Sequence, residues 1–266
     1  MNKLMCSFLF LLMAAASGIA QDTTIIVRSD RADTIITYGG NTQEGYSYDR
    51  DRRRSGIDFF YSRWGMLDLG VSILSPEEDY RLDNGVDPFE QRIIKSTNVN
   101  IHFFKVRLKP KAKGKLSLDF GPTLEIFKYF FENPIVMQGN QPEVTIDYME
   151  GVNYRKNRLT ATYLTMPLML SFHSNPRRPI RSFHLAFGID AGFLVGANFK
   201  TRLDGNKEKV KDNFNLSQWR SDLRLEVGFG PVLLYGSMGL RNVFDEDQDA
   251  GYKIKPFSVG FVVLPF

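Results

Sequence analysis

The chain has 266 residues, a formal net charge of +4 and a single cysteine, Cys6. That length holds one barrel with loops or one to two soluble domains, and a lone cysteine in the leader excludes disulfides, thiolate metal sites and a cysteine nucleophile from the mature protein. No basic cluster is interleaved with aromatics, so the positive balance does not point to nucleic acid.

Residues 1–20 read as a cleaved signal peptide. Lys3 gives the positive start, Leu4 to Ala16 the apolar stretch, and Gly18-Ile19-Ala20 the small-x-small cleavage site. The apolar stretch is shorter than the roughly 20 residues a membrane helix needs, and Cys6 lies too early to accept a lipid. Residues 21–60 are expected to form a periplasmic β-hairpin and a charged linker. The β-branched runs Thr23–Arg28 and Thr34–Tyr38 supply the hairpin, and Asp49-Arg50-Asp51-Arg52-Arg53-Arg54 the charge.

Residues 61–266 carry eight candidate spanning strands. The first, about Trp64 to Leu74, sets Leu67, Leu69, Val71 and Ile73 against Asp68, Gly70 and Ser72. In the second, Thr97 to Pro110, Val99, Ile101 and Phe103 oppose Asn98, Asn100 and His102, and the parity slips at Phe103-Phe104, which a β-bulge would repair. The third, Lys115 to Phe130, points Leu116, Leu118, Phe120, Leu124 and Ile126 outward and Ser117, Asp119, Gly121, Thr123 and Glu125 inward. The fourth, Leu159 to Phe172, shows Leu164, Met166, Leu168, Leu170 and Phe172 against Tyr163, Thr165, Pro167 and Ser171.

The fifth is the clearest. From Phe183 to Phe199 every odd residue is apolar, and the even positions are mostly small or polar. A period of two over that length means a strand with one face in an apolar medium, far longer than the usual five or six residues. The sixth, Leu216 to Phe229, places Trp219, Leu223, Leu225, Val227 and Phe229 outside and Arg220, Asp222, Arg224 and Glu226 inside. The seventh, Val232 to Val243, sets Val232, Leu234, Met238 and Leu240 against Tyr235, Ser237 and Arg241. The eighth, Lys253 to Phe266, is apolar on both faces near its end, which leaves its register open.

Long and short connections alternate. Ser75–Ser96, Glu132–Arg158, Thr201–Asn215 and Asn242–Tyr252 are long; Lys111–Gly114, Ser174–Ile180 and Gly230-Pro231 are short. Bacterial outer-membrane barrels sort their loops this way, with short periplasmic turns and long outer loops. The expected fold is therefore all-β, an eight-stranded antiparallel up-and-down transmembrane β-barrel in the outer membrane, preceded by the hairpin. A barrel of that size is filled by its own side chains. Asp68, Asp119, Glu125, Asp190, Arg220, Asp222, Arg224, Glu226 and Arg241 should therefore pair with one another in the lumen. A Lys or Arg near the lipid midplane costs roughly 2–4 kcal/mol, and the outward sets contain none.

Three further features carry a family resemblance: the strand on Leu67-Asp68-Leu69-Gly70, the segment Tyr163-Leu164-Thr165-Met166-Pro167-Leu168-Met169-Leu170, and the strand spaced by Gly188, Gly192 and Gly196. With the leader, hairpin and linker, they make the chain resemble the PorT-like outer-membrane β-barrel family of the Bacteroidetes type. The resemblance implies an outer-membrane barrel of a Gram-negative envelope and, more weakly, a secretion-associated role. Phe266 is similar to the terminal aromatic that the β-barrel assembly machinery reads, although Pro265 departs from the commonest signal.

Candidate chemistry is sparse. Of the three histidines, His102 falls opposite Thr123 and diagonal to Glu125 if the second and third strands pair, a constellation that could serve a lipid-modifying hydrolase. A lumenal hydrogen-bond network is the plainer reading. His173 and His184 flank a periplasmic turn. The run Asp245 to Gly251 imitates a calcium loop, but its glycine is one place late and Pro256 stands where a Glu is needed; a solvated acidic loop fits it better. Tyr61, Trp64, Trp219 and Tyr252 sit where interfacial aromatics belong. The sequence thus favours a non-enzymatic barrel with no catalytic, cofactor or metal residues. Its partners would be outer-membrane lipid and lipopolysaccharide, the assembly machinery, and secretion-apparatus proteins at the loops Ser75–Ser96 and Glu132–Arg158.

Overall fold

A computed structural model describes residues 25–29, 32–36, 58–109, 115–175, 181–203, 206–230 and 232–263, with side chains from Met66 onward except Lys109. The segments expected to form the leader, the arginine-rich linker and the turn at 111–114, and the terminal Phe266, lie outside these. In chain order the strands are β1 (Ile25–Ser29), β2 (Ala32–Ile36), β3 (Asp58–Pro76), β4 (Thr97–Lys109), β5 (Leu116–Phe120), β6 (Thr123–Phe130), β7 (Ile135–Met137), β8 (Ile146–Tyr148), β9 (Lys156–His173), β10 (Phe183–Leu203), β11 (Asn206–Lys211), β12 (Trp219–Phe229), β13 (Val232–Gly239) and β14 (Ile254–Val263). The chain divides into two units, Met1–Arg54 and Ser55–Phe266. In the first, β1 and β2 form an antiparallel hairpin in which Ser29 already pairs with Ala32.

The second unit is a closed ring. Each spanning strand pairs antiparallel with its neighbours in sequence, from β3 through β4, the β5–β6 segment, β9, β10, β12 and β13 to β14, and β14 returns to β3 with Gly260 opposite Gly70. The outward sets read from the sequence are on the outside: Leu69, Leu164, Met166, Leu168, Leu170, Phe187, Ile189, Leu225, Leu234 and Phe261 are all exposed. The last strand resolves its ambiguity with Phe257, Val259 and Phe261 outward and Ser258, Gly260 and Val262 inward. Glycine is required where backbones crowd. A Cβ on Gly188 would sit 2.0 Å from the Leu168 carbonyl oxygen, and one on Gly70 would sit 2.5 Å from the Val259 carbonyl oxygen.

The predicted slip in the second strand is present. His102 faces Thr123 on β6, whereas Val106 faces Phe120 on β5. Phe103, Phe104 and Lys105 thus span the place of only Gly121 and Pro122, and Lys105 and Arg107 turn toward buried acids. The third strand, expected unbroken, is divided there into β5 and β6, because proline supplies no backbone donor to the ladder.

Four other expectations need correction. The fifth strand does not keep its odd residues outward to Phe199. A register shift between Leu194 and Gly196 inverts the parity, and Phe199 is buried at 2% exposure. The sixth strand starts at Trp219, leaving Leu216 buried in a loop, and the seventh ends at Gly239, so that Arg241 is exposed rather than lumenal. Tyr252 is not an interfacial aromatic. It packs edge-on against Tyr80 and Phe89, with ring centroids at 5.3 and 5.1 Å.

That packing belongs to a structure the strand pattern does not announce. The four long connections fold together over one end of the ring around an apolar core that includes Phe89, Phe131, Ile135, Phe199, Phe214 and Phe244. The β7–β8 hairpin and β11 are built from these connections. Loop-to-loop bonds tie them: Val144 N donates to Gln248 O at 2.9 Å, Asn140 N to Asp212 Oδ2 at 2.7 Å, and Asn215 Nδ2 to Gln141 O at 3.2 Å. Burial pushes the Tyr252 phenol up, with the nearby Asp83 adding to the effect.

Candidate functional site

Below the cap the ring is filled by a polar network, and alternation explains its membership, since each inward position of the spanning strands delivers one side chain to the axis. Arg224, from β12, is the hub. Its Nη2 donates to Asp68 Oδ2 at 2.6 Å and its Nε to Glu226 Oε1 at 2.9 Å, while Nη1 stands 3.8 Å from Asp190 Oδ2. The guanidinium also lies over the Tyr235 ring, 4.6 Å from its centroid. Asp68, wholly buried, further accepts from Asn100 Nδ2 at 3.3 Å and from His102 Nε2 at 2.9 Å. Tyr235 donates to Asn98 Oδ1 at 2.6 Å, and Asn98 passes a bond to Asn100.

Two further groups flank the hub. Toward the short-turn end, Arg107 grips Asp119 with two bonds of 2.8 and 2.7 Å, and Ser171 donates to the same carboxylate. Toward the cap, Arg220 Nε donates to Asp222 at 2.6 Å while its guanidinium lies 3.8 Å from the Phe127 centroid. Arg220 is therefore the seam between the polar fill and the apolar cap. Of the nine charged residues expected in the lumen, all but Arg241 are there, paired largely with one another.

His102 does meet Thr123, at 2.8 Å through Nδ1, but the carboxylate on its other nitrogen is Asp68, not Glu125. A carboxylate only accepts, so Nε2 donates to Asp68, and in a neutral ring Nδ1 then accepts the Thr123 hydroxyl. The order hydroxyl–imidazole–carboxylate is that of a nucleophilic triad, yet Thr123, His102 and Asp68 are 1%, 4% and 0% exposed. What the arrangement does is satisfy three buried polar side chains.

The other two histidines form a contact sequence reasoning missed. His184 Nδ1 lies 3.0 Å from His173 Nε2, and His184 Nε2 lies 3.5 Å from Glu226. Hairpin register around the Ser174–Ile180 connection places the two opposite each other, so pairing the fourth and fifth strands explicitly would have found them. Among the described residues, no three His, Cys, Asp or Glu side chains gather to hold a metal. The acidic run from Asp245 instead closes a turn, with Gly251 N on Asp249 Oδ1 at 2.8 Å and Gly251 at φ 86°.

A closed ring of eight antiparallel segments, apolar outside and ion-paired within, defines an integral outer-membrane β-barrel protein. The chain belongs to the outer membrane protein beta-barrel domain family, which it matches over residues 68–245, from the first spanning strand to the last long connection. Its location is the outer membrane. No curated protein and no solved structure matches it.

Proposed function

We propose that this protein is a non-enzymatic barrel of the PorT-like type whose long-loop end engages a protein partner in secretion-associated envelope machinery. Export through the leader at 1–20, assembly through the strand ending at Phe266, and contact with outer-membrane lipid and lipopolysaccharide belong to the same reading. The observation that carries it is the double closure of the ring. With charged side chains filling the lumen and an apolar cap above, the molecule has its outer surface to offer rather than a passage. On that surface Ile93 and Ile94, in the connection Ser75–Ser96, stand 48% and 92% exposed. The two isoleucines are adjacent in the short turn that leads into β4, and together they offer apolar area for a partner to cover.

The alternative, a lipid-modifying hydrolase using His102, draws on the Thr123–His102–Asp68 chain. The burial of all three groups argues for the first reading. Mild-detergent extraction followed by size separation tests it. The protein should elute in an assembly larger than the lone barrel, and Ile94→Asp should reduce it to the lone barrel. A lone-barrel profile for the unaltered protein, or lipid turnover abolished by His102→Asn, would overturn the proposal.

A further inference from the structure

Beyond Val195 the register shift in β10 has a second effect. While Phe199 and Thr201 turn into the cap, Lys200 and Arg202 turn outward, onto the side that carries the lipid-facing residues lower down. Pairing on both sides extends this face. In one row Arg158 of β9 stands beside Lys200, and Lys200 beside Lys209 of β11; in the next, Lys156 stands beside Arg202, and Arg202 beside Lys207. A third row adds Lys128 of β6 and Lys211 at its two ends. No carboxylate occupies these rows, because the one acid of β11, Glu208, pairs with Thr201 on the opposite face.

Like charges directly opposite in a sheet are destabilising. Lysines on an edge strand such as β11 are a common guard against edge-to-edge pairing, but that leaves Lys200 and Arg202 in the interior of the sheet unexplained. Among the described residues none of these cations forms an ion pair. Arg158 Nε and Arg202 Nε are buried without a hydrogen-bond partner, and Arg158 is steadied over the Phe130 ring at 5.6 Å. The height is also informative. Trp219, 61% exposed and edge-on to Phe193 at 5.1 Å, marks the upper limit of the apolar belt. Lys200 lies seven positions along β10 from Phe193, beyond the apolar belt on the long-loop side, the side of the outer leaflet when the long loops face outward.

We propose that this face binds the phosphate groups of the phosphorylated glycolipid in the outer leaflet, with Lys200, Arg202 and Arg158 at its centre. The site rests on the outer-membrane location and not on the partner role proposed above. The experiment uses protein purified from outer membranes, exchanged into neutral detergent and titrated with bisphosphorylated lipid A, with the same lipid after phosphate removal, and with inorganic pyrophosphate, bound lipid being counted by native mass spectrometry. Bisphosphorylated lipid A should bind best, and the combined change Lys200→Gln, Arg202→Gln, Lys209→Gln should weaken it by roughly ten- to a hundredfold. The variant Lys200→Arg, Lys209→Arg should keep binding, and heat-modifiable migration on gels would show that every variant is folded. Equal binding of the dephosphorylated lipid, undiminished binding by the glutamine variant, or displacement by pyrophosphate as efficient as by lipid A would each overturn the proposal.

Discussion

The two closed regions of the ring solve opposite problems with opposite chemistry. The lumen buries charge and has to pair it, because breaking one partner of a buried ion pair costs about 3–5 kcal/mol. The cap buries rings contributed by the long connections, where cost follows the volume removed and the local freedom to collapse. The charged network around Arg224 ties β12 to β3, β4 and β13 across the ring, whereas an apolar cap holds only the loops that form it. Damage should therefore spread through the whole barrel in the first case and stay at one end in the second.

Asp68→Ala is the severest way to test that contrast. It removes the acceptor shared by Arg224, His102 and Asn100, and a loss of about 3–5 kcal/mol is expected, read as a lower urea midpoint for unfolding of the whole barrel. Phe214→Ala, in the cap, carries a nominal cost of about 3–5 kcal/mol, but its expected signature is local: faster tryptic cleavage at Lys207–Lys211 with the barrel's unfolding midpoint little changed. A global midpoint shift equal to that of Asp68→Ala would break the comparison. Leu168→Arg, on the lipid face and touching neither region, should cost roughly 2–4 kcal/mol if Leu168 lies near the midplane, measured by refolding equilibria into vesicles. Smallest of all, Tyr235→Phe deletes the 2.6 Å bond to Asn98 and should lower stability by about 1 kcal/mol, detectable in the same titration.

The two regions also differ in how far the sequence foretold them. Period-two alternation gave the eight spanning segments and correctly assigned Asp68, Asp119, Glu125, Asp190, Arg220, Asp222, Arg224 and Glu226 to the interior. It could not say that Arg224 would be the hub, because the sequence separation between Asp68 and Arg224 disappears only when β14 returns to β3; and His102 has a strand on each side, so only the register of β3 on β4 puts Asp68 rather than Glu125 on its ring. The cap was hidden for a related reason. Phe89, Phe131, Phe214 and Phe244 each sit in a loop without periodicity, and nothing local indicates that four loops share one core.

Local pattern by itself determined the placement of this protein: strands long enough to cross a bilayer, apolar on one side, joined by alternating long and short connections, because a strand's two faces are fixed by the backbone pleat. Only the tertiary structure decided the partners of the buried charges, the assembly of the cap and the inversion after Leu194 that sends Phe199 inward and Lys200 outward. Each of these depends on which strand lies beside which and in what register, and a one-residue shift exchanges the faces of everything that follows it.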